Sequence, residues 1–220
     1  MLAENIQKIQ NKIQDKQCVL IAVTKTHPVE VLQEAYDLGL RVFGENKAQE
    51  MMLKYEALPK DIQWHMIGHL QSNKVKYIAP YVSLIHSVDG LALLKEINKQ
   101  AIKNERVISC LLQIYIAKEE TKFGLSFEEA EELLVSEEFK YMNNISIIGL
   151  MGMATNTENK ETVKSEFRSL KVFFDQLKDK HPKISVLSMG MSGDFEMAIS
   201  EGSNMVRVGS AIFGNRSYAI

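Results

Sequence analysis

Cysteine is scarce in this chain. Cys18 and Cys110 are the 2 among 220 residues, and each lies in an apolar run, CVLIAV and ISCLLQIYI, where a thiol behaves as a small hydrophobe. A disulfide framework is thereby excluded, and a reduced, cytoplasmic protein is expected. Long hydrophobic runs are also missing, since no stretch approaches the roughly 18 consecutive apolar residues of a membrane span. The opening MLAENIQKIQNKIQDK intersperses Glu4, Lys8, Lys12 and Asp15 among its apolar residues and does not read as a secretion signal. Charge of one sign does not accumulate either. Lys+Arg 26 against Asp+Glu 28 leaves a formal net charge of -2 with no block of like charge, which argues against nucleic acid as a partner. No GxSxG, HExxH, Walker A or GxGxxG pattern occurs, which removes several hydrolase, ATPase and nicotinamide readings.

What is present is an ordinary globular composition, 45% hydrophobic and 25% charged, with no linker rich in Pro, Gly or Ser. Residues 1–220 therefore read as a single domain. Short β-branched runs alternate with stretches of helical period. Strands are expected at 19–23, 41–43, 63–67, 83–88, 107–116, 145–150, 184–187 and 205–208. An extra helix opens the chain on Ile6, Ile9 and Ile13. A second begins at Pro28, carries Val31, Leu32, Ala35 and Leu38 on one face, and stops at Gly39. Asp89 before LALLKEINKQAI, the Ser126–Glu129 capping box, and the stripe Val163, Phe167, Leu170, Phe174, Leu177 mark three more. Eight strand–helix units in this length favour a small (β/α)₈ TIM barrel over an open doubly wound sheet of five to seven strands.

In a parallel barrel the functional face lies at the carboxyl ends of the strands, and the polar residues cluster there. Lys25 directly follows an apolar strand. Desolvation or a neighbouring cation gives such a lysine the neutral amine that attacks a carbonyl, while a snorkelling surface lysine is the plainer reading. The segment from Leu187 to Gly214 places two glycine and hydroxyl turns around one helix and resembles a phosphate clamp, with Ser192, Gly209 and Ser210 as candidates. Ser192 can equally be only the N-cap of its helix, and Asp194 and Glu196 oppose phosphate there. Arg207, between Val206 and Val208, is expected to point into the barrel, where its partner is either a carboxylate or a ring nitrogen. His65 and His69 have i, i+4 spacing, but they fall on a strand broken by Gly68 and lack a third ligand, so no metal site is expected.

Five segments in order, AVTKTHP (22–28), FGENKAQE (43–50), WHMIGHLQSNK (64–74), GLMGMA (149–154) and the stretch 187–214, resemble the pyridoxal phosphate homeostasis (YggS/PROSC) family, related to the barrel domain of bacterial alanine racemase. The resemblance covers almost the whole chain. It implies an alanine racemase-like barrel that binds pyridoxal 5'-phosphate as a Schiff base on Lys25, with Arg207 facing the pyridine nitrogen. It further implies that Ser192, Gly209 and Ser210 serve the phosphate, that Asn46 and His65 stand near the ring, and that Met189 and Met191 line the pocket. Thr121-Lys122-Phe123-Gly124 also conforms to a family pattern whose role spacing does not give.

The implied function is pyridoxal phosphate homeostasis, buffering or delivering the cofactor without robust catalysis, with apo forms of pyridoxal phosphate enzymes as prospective recipients. The alternative is an amino-acid racemase. That class uses a tyrosine from an additional β domain across a dimer, and the sequence ends at Ile220, seven residues after Phe213, so a monomeric carrier is expected instead. A phosphate-sugar isomerase with an electrostatic Lys25 is a third reading, for which Glu45 is the one evident base at a strand end.

Overall fold

The computed structural model describes residues 1–117 and 123–214. Its strands are β1 (Val19–Val23), β2 (Val42–Glu45), β3 (Gln63–Met66), β4 (Leu84–Val88), β5 (Ile108–Ile114), β6 (Ile145–Gly152), β7 (Val186–Met191) and β8 (Met205–Val208). They form a closed parallel barrel in chain order, and β1 pairs with β8 through Ile21↔Arg207 and Ala22↔Val208. The expected barrel is therefore the observed one. Its helices are α1 (Leu2–Ile13), α2 (Val29–Asp37), α3 (Ala48–Ala57), α4 (Val75–Ile78), α5 (Leu91–Lys103), α6 (Phe127–Val135), α7 (Glu137–Lys140), α8 (Lys160–Lys180), α9 (Phe195–Ser200) and α10 (Ser210–Phe213). Among the described residues no helix is long and apolar enough to cross a membrane.

The extra N-terminal helix α1 buries Ile6, Ile9 and Ile13, and Asn5 Nδ2 donates to the Ile212 carbonyl at 2.9 Å, tying the start of the chain to α10. Pro28 is the N-cap of α2 rather than its first residue, and Gly39 ends that helix with φ +97°, where its missing Cβ removes the left-handed penalty. The capping box forms as expected: the Glu129 amide donates to Ser126 Oγ at 3.1 Å and the Ser126 amide to Glu129 Oε2 at 2.8 Å. Asp89 does not cap α5. Gly90 takes that position, and the Asp89 carboxylate turns to His69 Nδ1 at 3.2 Å.

Period-two alternation along the strands separates two apolar layers. Ile21, Leu84, Leu111, Met151 and Met205 form a small cluster of their own inside the barrel, while Phe43, Trp64, Ile85, Leu112 and Leu187 join the larger layer beneath the helices. Strands β2, β6 and β7 run further than their apolar stretches suggested. Glycines that look like turn signals are strand residues here, because the chain needs room rather than a bend. A Cβ on Gly44 would lie 2.8 Å from Ile21 Cγ2, and one on Gly149 would lie 1.8 Å from the Val186 carbonyl oxygen. Gly149 lets β7 approach β6. Gly149→Ala is expected to cost about 3 kcal/mol or more in urea denaturation, whereas Gly193→Ala, where a Cβ meets nothing within 4 Å, is expected to fall within about 0.5 kcal/mol of the parent.

Candidate cofactor site at the barrel mouth

Lys25 leaves β1 in a turn held from behind. Thr24 is fully buried, its amide donating to the Gly44 carbonyl at 3.0 Å and its hydroxyl to Glu45 Oε1 at 2.5 Å. Lys54 Nζ donates to Glu45 Oε1 and Glu50 Oε1, both at 2.7 Å, and to the Thr24 carbonyl at 2.8 Å. The Thr26 amide in turn donates to Glu50 Oε1 at 2.6 Å, with Thr26 in the left-handed region at φ +68°. Both neighbours of Lys25 are thus clamped by one buried ion-paired cluster. Burial pushes the Glu45 carboxyl above its ordinary value, and Lys54 opposes that shift. Sequence reading missed this cluster, although the i, i+4 pair Glu50 and Lys54 on α3 was a usable signal. Glu45 faces Lys54 behind the strand, which removes the base that an isomerase reading requires.

A cavity of about 290 Å³ opens at the carboxyl ends of the strands, lined by Lys25, Asn46, Ser192, Arg207, Gly209 and Ser210, with Met153 and Met191 on its walls. Ser192 is not the N-cap of α9. Asp194 holds that position and accepts from the Met191 amide at 2.6 Å. Ser192 Oγ instead accepts from the amides of Gly209, at 3.0 Å, and Ala211, at 3.4 Å, so two backbone donors converge on one oxygen at the cavity wall. Asp194, whose charge weighed against an anion here, is turned back onto its own loop.

Arg207 points inward and is 4% exposed. Its guanidinium donates to the Ser188 carbonyl at 2.9 Å, Ser188 Oγ at 2.6 Å and the Gly152 carbonyl at 3.1 Å. Burial pulls it down to about 10, with the charge of Asp194 working the other way, so it remains a cation at neutral pH. A carboxylate partner, one of the two alternatives left by the sequence, is not among these contacts. The positive charge is hydrogen-bonded yet not neutralised, and a wall of that kind favours electron-rich ligand atoms.

His65 lies in the barrel interior rather than on the cavity lining, with its Nδ1 3.1 Å from His86 Nε2. Burial pulls His65 down to about 4, and burial together with the charge of Arg207 pulls His86 well below its ordinary value. Met189 corrects the sequence expectation. It is fully buried in the outer apolar layer, because Ser188 points inward and alternation turns its neighbour outward. His69 stacks on Phe123 at 4.4 Å, and no group of three metal-ligating side chains occurs among the described residues. Thr121 and Lys122 lie outside the described residues.

The alanine racemase N-terminal domain family matches residues 1–217. The pyridoxal phosphate homeostasis protein of Aquifex aeolicus is 45% identical over 204 residues, covering 90% of this chain and 87% of its own. The chain belongs to this family. PipY of Synechococcus elongatus PCC7942, solved with PLP bound, superposes with a TM-score of 0.87 at 31% identity, covering 97% of this chain and 100% of its own. The alanine racemase of Clostridium difficile 630 shares the fold at TM-score 0.77 and 16% identity, with 57% of its chain covered against 98% of this one. The five segments of the sequence resemblance all contribute residues to the strands or loops around the mouth.

Two measurements probe this architecture. Lys54→Met strands a buried Glu45 carboxylate and is expected to cost about 3–5 kcal/mol at pH 8. At pH 5 the loss is expected to be smaller, because an unpaired buried Glu45 takes up a proton; an equal loss at both pH values in urea melts counts against the cluster. The unfolded chain protonates His65 below about pH 6.5, whereas the folded chain keeps it neutral to about 4. Stability is therefore lost as pH falls through that window, by about 3 kcal/mol from this residue. His65→Gln is expected to flatten the slope.

Proposed function

We propose that this protein binds pyridoxal 5'-phosphate at the barrel mouth, with Lys25 as its covalent anchor, and serves intracellular homeostasis of the cofactor by buffering or delivering it. The carrying observation is that one cavity gathers an amine at the end of β1, an arginine cation that meets no carboxylate among the described residues, and the Ser192 hydroxyl on which the amides after β8 converge. Pyridoxal phosphate supplies an aldehyde with which a primary amine condenses, a ring nitrogen that accepts a hydrogen bond, and an anionic phosphate. These three groups suit the three features of the cavity.

Lys25 is the only lysine among the residues described as lining the cavity, and its clamped backbone fixes where its amine can reach. Arg207, a permanent donor, disfavours a proton on the ring nitrogen and so weakens electron withdrawal, which suits holding the cofactor more than catalysing with it. Ser192, Gly209 and Ser210 offer hydroxyl and amide donors to the phosphate, and Asn46 borders the ring. We read the protein as a cytoplasmic monomer acting as one barrel domain. Both cysteines are free thiols whose pKa burial raises, Cys18 to about 11, which suits a reducing compartment. Apo pyridoxal phosphate enzymes are the proposed recipients.

Borohydride reduction of the loaded protein followed by peptide mapping is expected to place the label on Lys25 and to find none in Lys25→Ala. Arg207→Ala is expected to keep the label but retain the unreduced cofactor about tenfold less tightly, the loss of a charged hydrogen bond. Label on another residue sinks the assignment. Incubation with L-alanine is expected to leave optical activity unchanged, and racemisation well above that of free pyridoxal phosphate replaces the carrier reading with the racemase one.

A further inference from the structure

Four polar side chains inside the barrel, His65 on β3, His86 on β4, Ser188 on β7 and Arg207 on β8, link into a single strut across its interior. Arg207 Nη1 donates to Ser188 Oγ at 2.6 Å, Ser188 Oγ lies 3.1 Å from His86 Nδ1, and His86 Nε2 lies 3.1 Å from His65 Nδ1. All four are buried, His86 completely. We infer that His86, acting through Ser188, is a positioning residue that holds the Arg207 guanidinium toward the cofactor pocket, with His65 completing the chain.

The direction of every bond follows from two facts, that arginine can only donate and that a buried hydroxyl proton needs an acceptor. Ser188 Oγ therefore accepts at one side, and the described residues offer its own proton one recipient, His86 Nδ1. His86 must then carry its proton on Nε2 and donate to His65 Nδ1, which leaves His65 protonated on Nε2 as well. Both rings are neutral in this arrangement, in keeping with the low pKa that burial gives each. Each donor polarises the next, which strengthens the acceptor that Ser188 offers to Arg207.

The chemical consequence concerns charge. A carboxylate in place of Ser188 would satisfy the guanidinium and also neutralise it, turning it away from any ligand. A chain of neutral dipoles satisfies the same donor while leaving the full positive charge available at the cavity wall. His86 does not line the cavity, so its influence reaches a ligand only through Arg207. This inference rests on the cofactor reading of the cavity, but the chain itself can be tested apart from it.

Nitrogen-15 spectra of the cofactor-free protein at neutral pH are expected to show His65 and His86 both neutral with the proton on Nε2. Ser188→Ala is expected to shift the His86 Nδ1 resonance. A proton on Nδ1 of His86, a cationic ring, or an unmoved resonance in Ser188→Ala overturns the chain. In protein loaded with pyridoxal phosphate, His86→Leu is expected to retain the cofactor about tenfold less tightly and to move its visible absorbance band, while borohydride still labels Lys25. His86→Asn, whose Oδ1 restores an acceptor for the Ser188 hydroxyl, is expected to recover both values toward the parent. Folded Leu and Asn variants that behave alike overturn the positioning role. Failure of the parent protein to take up the cofactor would instead sink the cofactor reading, and the spectra of the cofactor-free protein would still judge the chain.

Discussion

The parallel pairing of β1 with β8 closes the barrel, and the rest of the site depends on that closure. Ile21 stands opposite Arg207 and Ala22 opposite Val208, so the turn carrying Lys25 emerges beside the loop carrying Gly209 and Ser210. Residues more than 180 positions apart become neighbours through a few backbone hydrogen bonds. The closure demands close contact, since a Cβ on Gly209 would come within 3.2 Å of Val23 Cβ. An open sheet would leave these two edges apart and the cavity unformed.

Around that seam the molecule handles two buried charges in opposite ways. Lys54 meets carboxylates behind β2, where the task is to hold a backbone turn and a neutralised pair does that well. Arg207 meets carbonyls, a hydroxyl and, beyond the hydroxyl, two neutral imidazoles. Burial costs both cations solvation, but only the second keeps its charge for use. The two arrangements stand on either side of Lys25, one fixing its backbone from the protein interior and the other defining what its cavity attracts.

Much of the fold was legible because a parallel barrel repeats one local pattern. Every strand was placed, β1 and β8 to the residue, from apolar runs buried on both faces. The ends of β2, β6 and β7 were misread because Gly44, Gly152 and Gly190 signal turns in sequence, whereas here they make room for Ile21, Leu170 and Ala198. Alternation placed Arg207 inside correctly. The same argument applied to Ser188 would have turned Met189 outward, where it lies. His86 and Lys54 escaped notice altogether, since a lone histidine in IHSV carries no mark of its partner, and the i, i+4 spacing of Glu50 and Lys54 shows a helix pair but not the contacts of Lys54 with Glu45 and Thr24.

The sequence by itself determined the alternation of strands and helices, the inward direction of Arg207, the family, and the identity of the residues at the strand ends, because each of these follows from local period or from matched segments. Tertiary structure alone decided which of those residues share a cavity, that Arg207 meets no carboxylate among the described residues, and which side chains link along the interior chain. Those outcomes depend on distances between strands remote in sequence, and hydrogen-bond direction is fixed only when donor and acceptor are both in place.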